Sequence, residues 1–252
     1  MLEICAIASG SNGNCYYIGN ENDALLVDAG ISCKQIVSRL KERGLRPEKV
    51  KAVFISHEHS DHMIGARVVG KRLRIPVYIT AKTWTGAYKN QRPDFPRFFN
   101  PDEKNQVGEF TVYPFLKNHD ASEPCSFRVE YGAKNVGVFT DIGSPCENVI
   151  SHLQKCDALF LETNYDEKML WEGGYPWFLK QRIASEHGHL SNKQAFDLLE
   201  NHAGENLKCV FLSHLSKENN SPEVAYNEIQ PLGTRFEVRL TSRYEAGEIY
   251  TF

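Results

Sequence analysis

Short apolar runs punctuate the whole chain. They occupy 2–8, 15–18, 24–27, 50–55, 76–79, 109–116, 126–131, 136–140, 157–161, 208–212 and 236–240. Most are too short for a helix and are rich in Val, Ile, Phe and Tyr, so the pattern predicts strands. The early runs lie close together, as hairpins do, and YGAKN at 131–135 reads as a further hairpin loop. Helix starts separate the later runs. Ser32 with Gln35 makes a capping box ahead of Ile36, Val37 and Leu40. Ser144-Pro145-Cys146-Glu147 combines an N-cap, a first-turn proline and a box glutamate. Ser191 with Gln194 precedes Ala195, Leu198 and Leu199, and Ser221-Pro222 opens a fourth helix.

Residues 90–106, rich in Pro, Asn and charge, read as the longest loop. In 169–183 the aromatics Trp171, Tyr175, Trp177 and Phe178 surround Gly173-Gly174 and Pro176, which a core helix would not carry. That stretch is expected to be a surface loop or lid near the site, with dimer contact as the rival reading. No repeat or linker divides the chain. The expectation is one α+β domain over residues 1–252, with two mixed sheets flanked by helices.

Composition changes this picture little. Hydrophobic residues make up 41% and charged residues 24%, as in ordinary globular chains. No apolar run approaches the roughly 20 residues of a membrane helix. The opening MLEICAIASGSNGN has no basic region and begins like a strand, so a cytoplasmic protein is expected. The seven cysteines are scattered and contain no C-x-x-C pair, which argues against a disulfide scaffold or zinc ribbon. The net charge of −3 draws no polyanion by itself. Locally, however, Arg67, Lys71, Arg72, Arg74, Lys82, Lys89, Arg92 and Arg97 share 63–99 with a single acid, Asp94. Trp84, Tyr88, Phe95, Phe98 and Phe99 interleave with them. This window suits a phosphate backbone with unstacked bases, or equally a solvated face with Trp84, Phe98 and Phe99 in the core.

The candidate chemistry sits at strand ends. After the run ending at Ile55 come His57, Glu58, His59, Ser60, Asp61 and His62, in the form H-x-H-x-D-H. Alternate residues of a turn point the same way, so His57 and His59 can grip one cation while Asp61 and His62 face a second. His119, Asp141 and His214 follow three further apolar runs. Our reading places His57, His59 and His119 on one metal and Asp61, His62 and His214 on the other, with Asp141 between them. Nitrogen and oxygen donors of this kind suit two divalent ions, zinc or manganese, and also accept iron or nickel.

This ligand order resembles the metallo-β-lactamase superfamily, across nearly the whole chain. The resemblance implies an αββα sandwich with the metals at one edge. SGSNGNCYYI, LLVDAG, HDASEP, TDIGSP and GHLSN look more narrowly like its WalJ/YycJ-type branch, whose wider relatives include PhnP phosphodiesterase and tRNase Z. By that match Glu162 of LFLETN orients His189 of GHLSN, and His189 protonates the leaving oxygen; Asp61 joins them in the catalytic set. Ser9, Ser11, Asn14, Ser191 and Asn192 become candidate substrate contacts. The branch often carries a histidine where this chain has Tyr165. His152, His187 and His202 match no motif and are expected on the surface or in packing.

The resemblance implies a two-metal phosphodiesterase, more narrowly a nuclease acting from 5′ DNA ends, with nucleic acid as partner and DNA ahead of RNA. A phosphodiesterase for small cyclic or nucleotide substrates and a non-catalytic metal-bound scaffold are the competing readings.

Overall fold

The computed structural model describes residues 1–252. Its first half builds one sheet from β1 (Glu3–Ala8), β2 (Cys15–Gly19), β3 (Ala24–Val27), β4 (Val50–Phe54), β5 (Val77–Ile79) and β6 (Pro96–Phe98). Between them lie α1 (Cys33–Glu42), α2 (Ser60–Met63), α3 (Ala66–Leu73) and α4 (Ala81–Gly86). The second half adds β7 (Asn105–Val107), β8 (Phe110–Leu116), β9 (Cys125–Tyr131), β10 (Lys134–Phe139), α5 (Glu147–Leu153), β11 (Ala158–Glu162), α6 (Glu167–Glu172) and α7 (Trp177–Ile183). It continues with α8 (Asn192–His202), β12 (Cys209–Ser213), α9 (Pro222–Ile229) and β13 (Glu237–Leu240). The chain ends with β14 (Tyr250–Thr251), which returns to pair with β1. The two seven-stranded sheets run β14-β1-β2-β3-β4-β5-β6 and β13-β12-β11-β10-β9-β8-β7. Each has an antiparallel hairpin half and a parallel half.

Strand alternation assigns each side chain to a layer. In β1, Ile4 and Ala6 face the second sheet, whereas Cys5 and Ile7 pack under Ile36, Val37 and Leu40 of α1. In β11, Ala158 and Phe160 face inward, and Leu159 and Leu161 pack with residues of α5, α8 and α9. Sheets covered on both faces need apolar residues at every position, which is why the strands read as unbroken runs. Phe54 shows the packing between sheets. It stacks on Tyr78 with centroids 4.4 Å apart and meets Phe127 of the other sheet edge-on at 5.7 Å. Truncating it to Ala would cost about 3–5 kcal/mol.

The capping boxes at Ser32/Gln35 and Ser191/Gln194 form as expected. Three readings are corrected. The helix expected from Ser144 starts later, with Cys146 at the N-cap. Ser144 Oγ instead accepts from Asn118 Nδ2 at 2.9 Å and donates to the Glu186 carbonyl at 3.2 Å. Residues 169–183 are not a loop: α6 and α7 flank Gly173-Gly174, which act as the break between two short helices. The stretch 90–106 carries β6 and the start of β7, which cap the sheet edges. All seven cysteines are free thiols, and no helix is long and apolar enough to cross a membrane.

Candidate dinuclear metal centre

The ends of β4, β8, β10, β11 and β12 meet at one edge of the sandwich. They bring together all seven ligand-type residues named from the sequence. Three residues there adopt left-handed backbone conformations that non-glycine residues rarely enter: Asp28, Asp141 and His214, with φ of 62°, 53° and 55°. Each immediately follows a strand or lies within two residues of its end. The turn redirects a side chain that would otherwise continue the pleat, and such strain clusters at functional sites.

His57, His59 and His119 form the first group. His57 Nε2 lies 3.1 Å from His59 Nδ1, and His119 Nε2 lies 3.3 Å from the same atom. A tetrahedral ion at zinc–nitrogen distances of roughly 2.0–2.1 Å spaces its ligands about 3.3–3.4 Å apart. In His57 and His119 the other ring nitrogen fixes the tautomer. His119 Nδ1–H donates to the Gly188 carbonyl at 3.0 Å. His57 Nδ1 meets Ser56 Oγ at 2.9 Å, and Ser56 Oγ itself donates to Asp28 at 2.9 Å. Burial pushes His57 well below the usual histidine range. Burial, aided by Lys117 and opposed by Asp141, lowers His119 to about 4. Both rings are therefore neutral donors, the form a metal requires.

The second group is Asp61, His62 and His214, with Asp141 between the two groups. Asp61 Oδ2 is 3.5 Å from both His62 Nε2 and His214 Nε2. Asp141 Oδ2 is 3.1 Å from His62 Nε2, while its Oδ1 is 3.8 Å from His119 Nε2. Asp141 Oδ2 and His214 Nε2 are buried without a hydrogen-bond partner. The Nδ1–H groups of His62 and His214 are already spent on Asp28 and Glu162, at 2.7 and 2.8 Å. In the neutral form that a metal takes, both Nε2 lone pairs would face carboxylate oxygens, so a positive charge, a proton or a metal ion, is needed between them. The residues present therefore fit a pair of divalent ions.

Electrostatics agrees. Burial would depress His62 and His214, yet Asp141 with Asp28 and Asp61 holds His62 well above its usual range. Asp141, Asp61 and Glu162 raise His214 to about 10. The carboxylates gather whatever positive charge is at hand.

Asp28 was missed by sequence reasoning. It is fully buried, and besides His62 it accepts from Ser56 N at 2.8 Å. LLVDAG carried a signal, an acid at a strand end beside the ligand-bearing strand, but nothing marked it as a holder of ligands. Glu162 also does more than expected. Its Oε1 accepts from both His189 Nδ1 and His214 Nδ1 at 2.8 Å, and its Oε2 accepts from the backbone N–H of Ile142 at 2.6 Å and of Leu190 at 3.1 Å. Burial would raise its carboxyl, but the two imidazoles outweigh that and lower it to about 2. Glu162 stays ionised, and His189 keeps Nε2 free beside the cavity it lines.

The substrate-contact candidates divide. Ser11 lines the metal cavity. Ser9, Asn14, Ser191 and Asn192 are buried. Ser9 Oγ accepts the His214 backbone N–H at 2.8 Å. Asn14 Nδ2 reaches the Gly10 carbonyl at 3.2 Å and His62 Nε2 at 3.1 Å. Ser191 caps α8, and Asn192 pairs with Asn220. These residues brace the turns behind the ligands. Gly30 serves the same packing: a Cβ there would overlap the Asp61 carbonyl and the Asn14 N–H. Tyr165 is buried and bridges to Ser191. His152 stacks on Phe115 at 4.1 Å, and His202 lies in the last turn of α8. His187 contributes its carbonyl, which accepts from Asp120 N at 2.9 Å.

The metal cavity, about 230 Å³, is walled by Tyr175, Leu179, Arg182 and Ile183 of the α6–α7 region. Arg182 Nε donates to Asp120 Oδ2 at 2.6 Å, tying α7 to the turn that carries His119. The basic window is split by α3. Arg67, Lys71 and Arg74 line a cleft with Phe95 and Arg97, whereas Val68 and Arg72 line a different groove. Of its aromatics, Phe99 is in the core, Trp84 packs against the core under α1 and α3, and Phe98 is exposed.

The family model described as the metallo-beta-lactamase superfamily matches residues 8–214. The chain belongs to the metallo-β-lactamase superfamily. Within it, the chain is 35% identical over 226 residues to exodeoxyribonuclease WalJ of Streptococcus pneumoniae serotype 2, covering 87% of this chain and 84% of that one. It is 33% identical over 227 residues to exodeoxyribonuclease YycJ of Bacillus anthracis, covering 89% and 86%. The superfamily fold is shared with the crystal structure of YhfI from Bacillus subtilis, with a TM-score of 0.74 at 20% identity over all of both chains.

Proposed function

We propose that this chain is a two-metal phosphodiesterase that removes nucleotides from DNA ends. The observation that carries the reading is Glu162 binding His189 Nδ1 at 2.8 Å beside the paired ligand groups. Ligand sets of this kind serve several hydrolyses, and fold alone does not choose among them. A carboxylate-fixed imidazole at the rim supplies what phosphodiester cleavage adds, a proton for a poor alkoxide leaving group. DNA as substrate and action at ends are supported by the names of the WalJ and YycJ relatives.

The roles follow from the side chains. His57, His59 and His119 would hold one ion, and Asp61, His62 and His214 the other, with Asp141 shared. When bound, zinc, manganese or a similar pair supplies charge for the phosphoryl oxygens and acidifies the attacking water. Asp28, Ser56, Gly188 and Glu162 fix the imidazole tautomers so that the lone pairs point inward. Tyr175, Leu179 and Ile183 narrow the cavity. His189 Nε2–H would donate its proton to the departing sugar oxygen while Glu162 stabilises the ring.

The test is digestion of end-labelled single- and double-stranded DNA and RNA with zinc or manganese. Products shortened from one DNA end are expected. Cleavage of small nucleotide diesters but of no polynucleotide would overturn the reading, and so would no turnover with both ions bound. His189→Ala should keep its metal and slow DNA cleavage roughly 10²- to 10⁴-fold. Bis-p-nitrophenyl phosphate, whose leaving group needs no proton, should lose much less. Full activity of that variant on DNA would remove the relay.

A further inference from the structure

The metal cavity does not end at its own walls. Ser11 and Asp61, which line it, also line a groove of about 760 Å³ that runs between α1 and the α2–α3 segment. The inner cavity of about 230 Å³ is smaller than the roughly 300–1,000 Å³ that a small-molecule pocket occupies. A substrate of any length must continue elsewhere, and this groove adjoins the ligands directly.

Its lining has the chemistry of a strand track. Ile64, in the turn between α2 and α3, and Val68 of α3 are 52% and 54% exposed and line the groove, so they present uncovered apolar surface along its floor. Lys34, Arg39, Arg72 and Arg243 surround it, and Asp61, a metal-ligand candidate, is the groove's one carboxylate. Arg39 is committed to the backbone carbonyls of Ile7, at 2.9 Å, and Tyr244, and Arg243 to that of Leu215. Lys34 and Arg72 are exposed, and neither is in an ion pair. The start of α1, where Ser32 caps the helix, lines the same groove and adds its positive end. An apolar floor with free cations at its edge matches sugars and unstacked bases on one side and phosphates on the other.

Resting on the nuclease reading above, we propose that this groove holds the single-stranded continuation of the DNA, with Lys34 and Arg72 on its phosphates and Ile64 and Val68 under its sugars and bases. The opposite face of α3, with Lys71 and Arg74, carries no strand.

The test compares three metal-loaded proteins: wild type, Lys34→Glu/Arg72→Glu, and Lys71→Glu/Arg74→Glu. The last pair makes the same charge change on the far side of α3. A single-stranded 20-mer and bis-p-nitrophenyl phosphate are the substrates, and a phosphorothioate 20-mer reports binding by fluorescence anisotropy. In the groove pair, kcat/KM for the 20-mer relative to the small diester should fall at least tenfold. The slope of log affinity against log salt should shrink by about 1.4, the loss of two single-strand phosphate contacts. The far-side pair should match wild type in both. Equal binding and unchanged salt slope in the groove pair would overturn the track, and so would equal losses in the two pairs. Wild type that turns over the small diester but never the 20-mer would overturn the nuclease reading itself, a result distinct from either.

Discussion

The two halves of the metal centre are built from different materials. The first is all imidazole, and its holders are a backbone carbonyl and a hydroxyl: Gly188 O for His119 and Ser56 Oγ for His57. The second mixes imidazole with carboxylate, and its holders are carboxylates: Asp28 for His62 and Glu162 for His214. A carboxylate behind a histidine raises the basicity of the inward nitrogen, while a carbonyl mainly orients it. The contrast teaches that the two sites should differ in how far they depend on buried charge. The first needs neutral rings, and burial is the main force that keeps His57 and His119 neutral. The second concentrates Asp28, Asp61, Asp141 and Glu162 in one region, and only positive charge makes that affordable.

The largest test removes what the halves share. Asp141→Ala deletes the carboxylate that faces both groups, so metal content should fall at both sites. Turnover should drop by roughly 10³-fold or more, since metal stabilisation of the transition state is worth several kcal/mol. Loss of a single ion, read by elemental analysis, would assign Asp141 to one half only. Next comes Asp28→Asn, which keeps shape but removes charge behind His62. Metal affinity should fall about 10- to 100-fold, the usual effect of a lost outer partner, with one ion lost before the other as metal is titrated down. Ser56→Ala, on the hydroxyl-held side, should cost less. If Ser56→Ala weakens binding as much as Asp28→Asn, the contrast between the halves fails.

These holders also mark where sequence reading stopped. The strands were legible because both sheet faces are covered, so runs such as Val53-Phe54-Ile55 and Leu159-Phe160-Leu161 carry no polar interruption. The ligands were legible because histidines and acids directly follow those runs. Asp28 was not, because one acid after a strand is also what an ordinary turn provides, and its role depends on His62 folding back to within 2.7 Å. The packing of the Ser9 and Asn14 side chains was not legible for a related reason. A Ser/Asn/Gly turn looks alike whether its side chains meet solvent or, as here, the His214 backbone N–H and the inner nitrogen of His62. In 169–183 the glycine pair signalled a break correctly, but a break between two short helices has the same local signature as a loop.

A histidine outside the centre supplies the mildest and most specific check on how burial and charge act. His152 stacks on Phe115 with ring planes 9° apart, and Arg128 Nε donates to its Nδ1 at 3.3 Å. Burial first, then Arg128 and Lys155, lower it to about 4 from the ordinary 6.5. No carboxylate opposes that shift, unlike at His62 and His214. The folded protein therefore binds this proton more weakly than the unfolded chain does. The stability it contributes is complete above about pH 6.5 and is lost as pH falls from there toward 4. His152→Gln can still accept the Arg128 hydrogen bond but cannot titrate. Urea midpoints of the variant should therefore decline less steeply than wild type between pH 6.5 and 4 and run parallel to it above pH 7. A constant offset from wild type at every pH, with equal slopes between pH 6.5 and 4, would show that His152 matters through its packing on Phe115 and not through its proton.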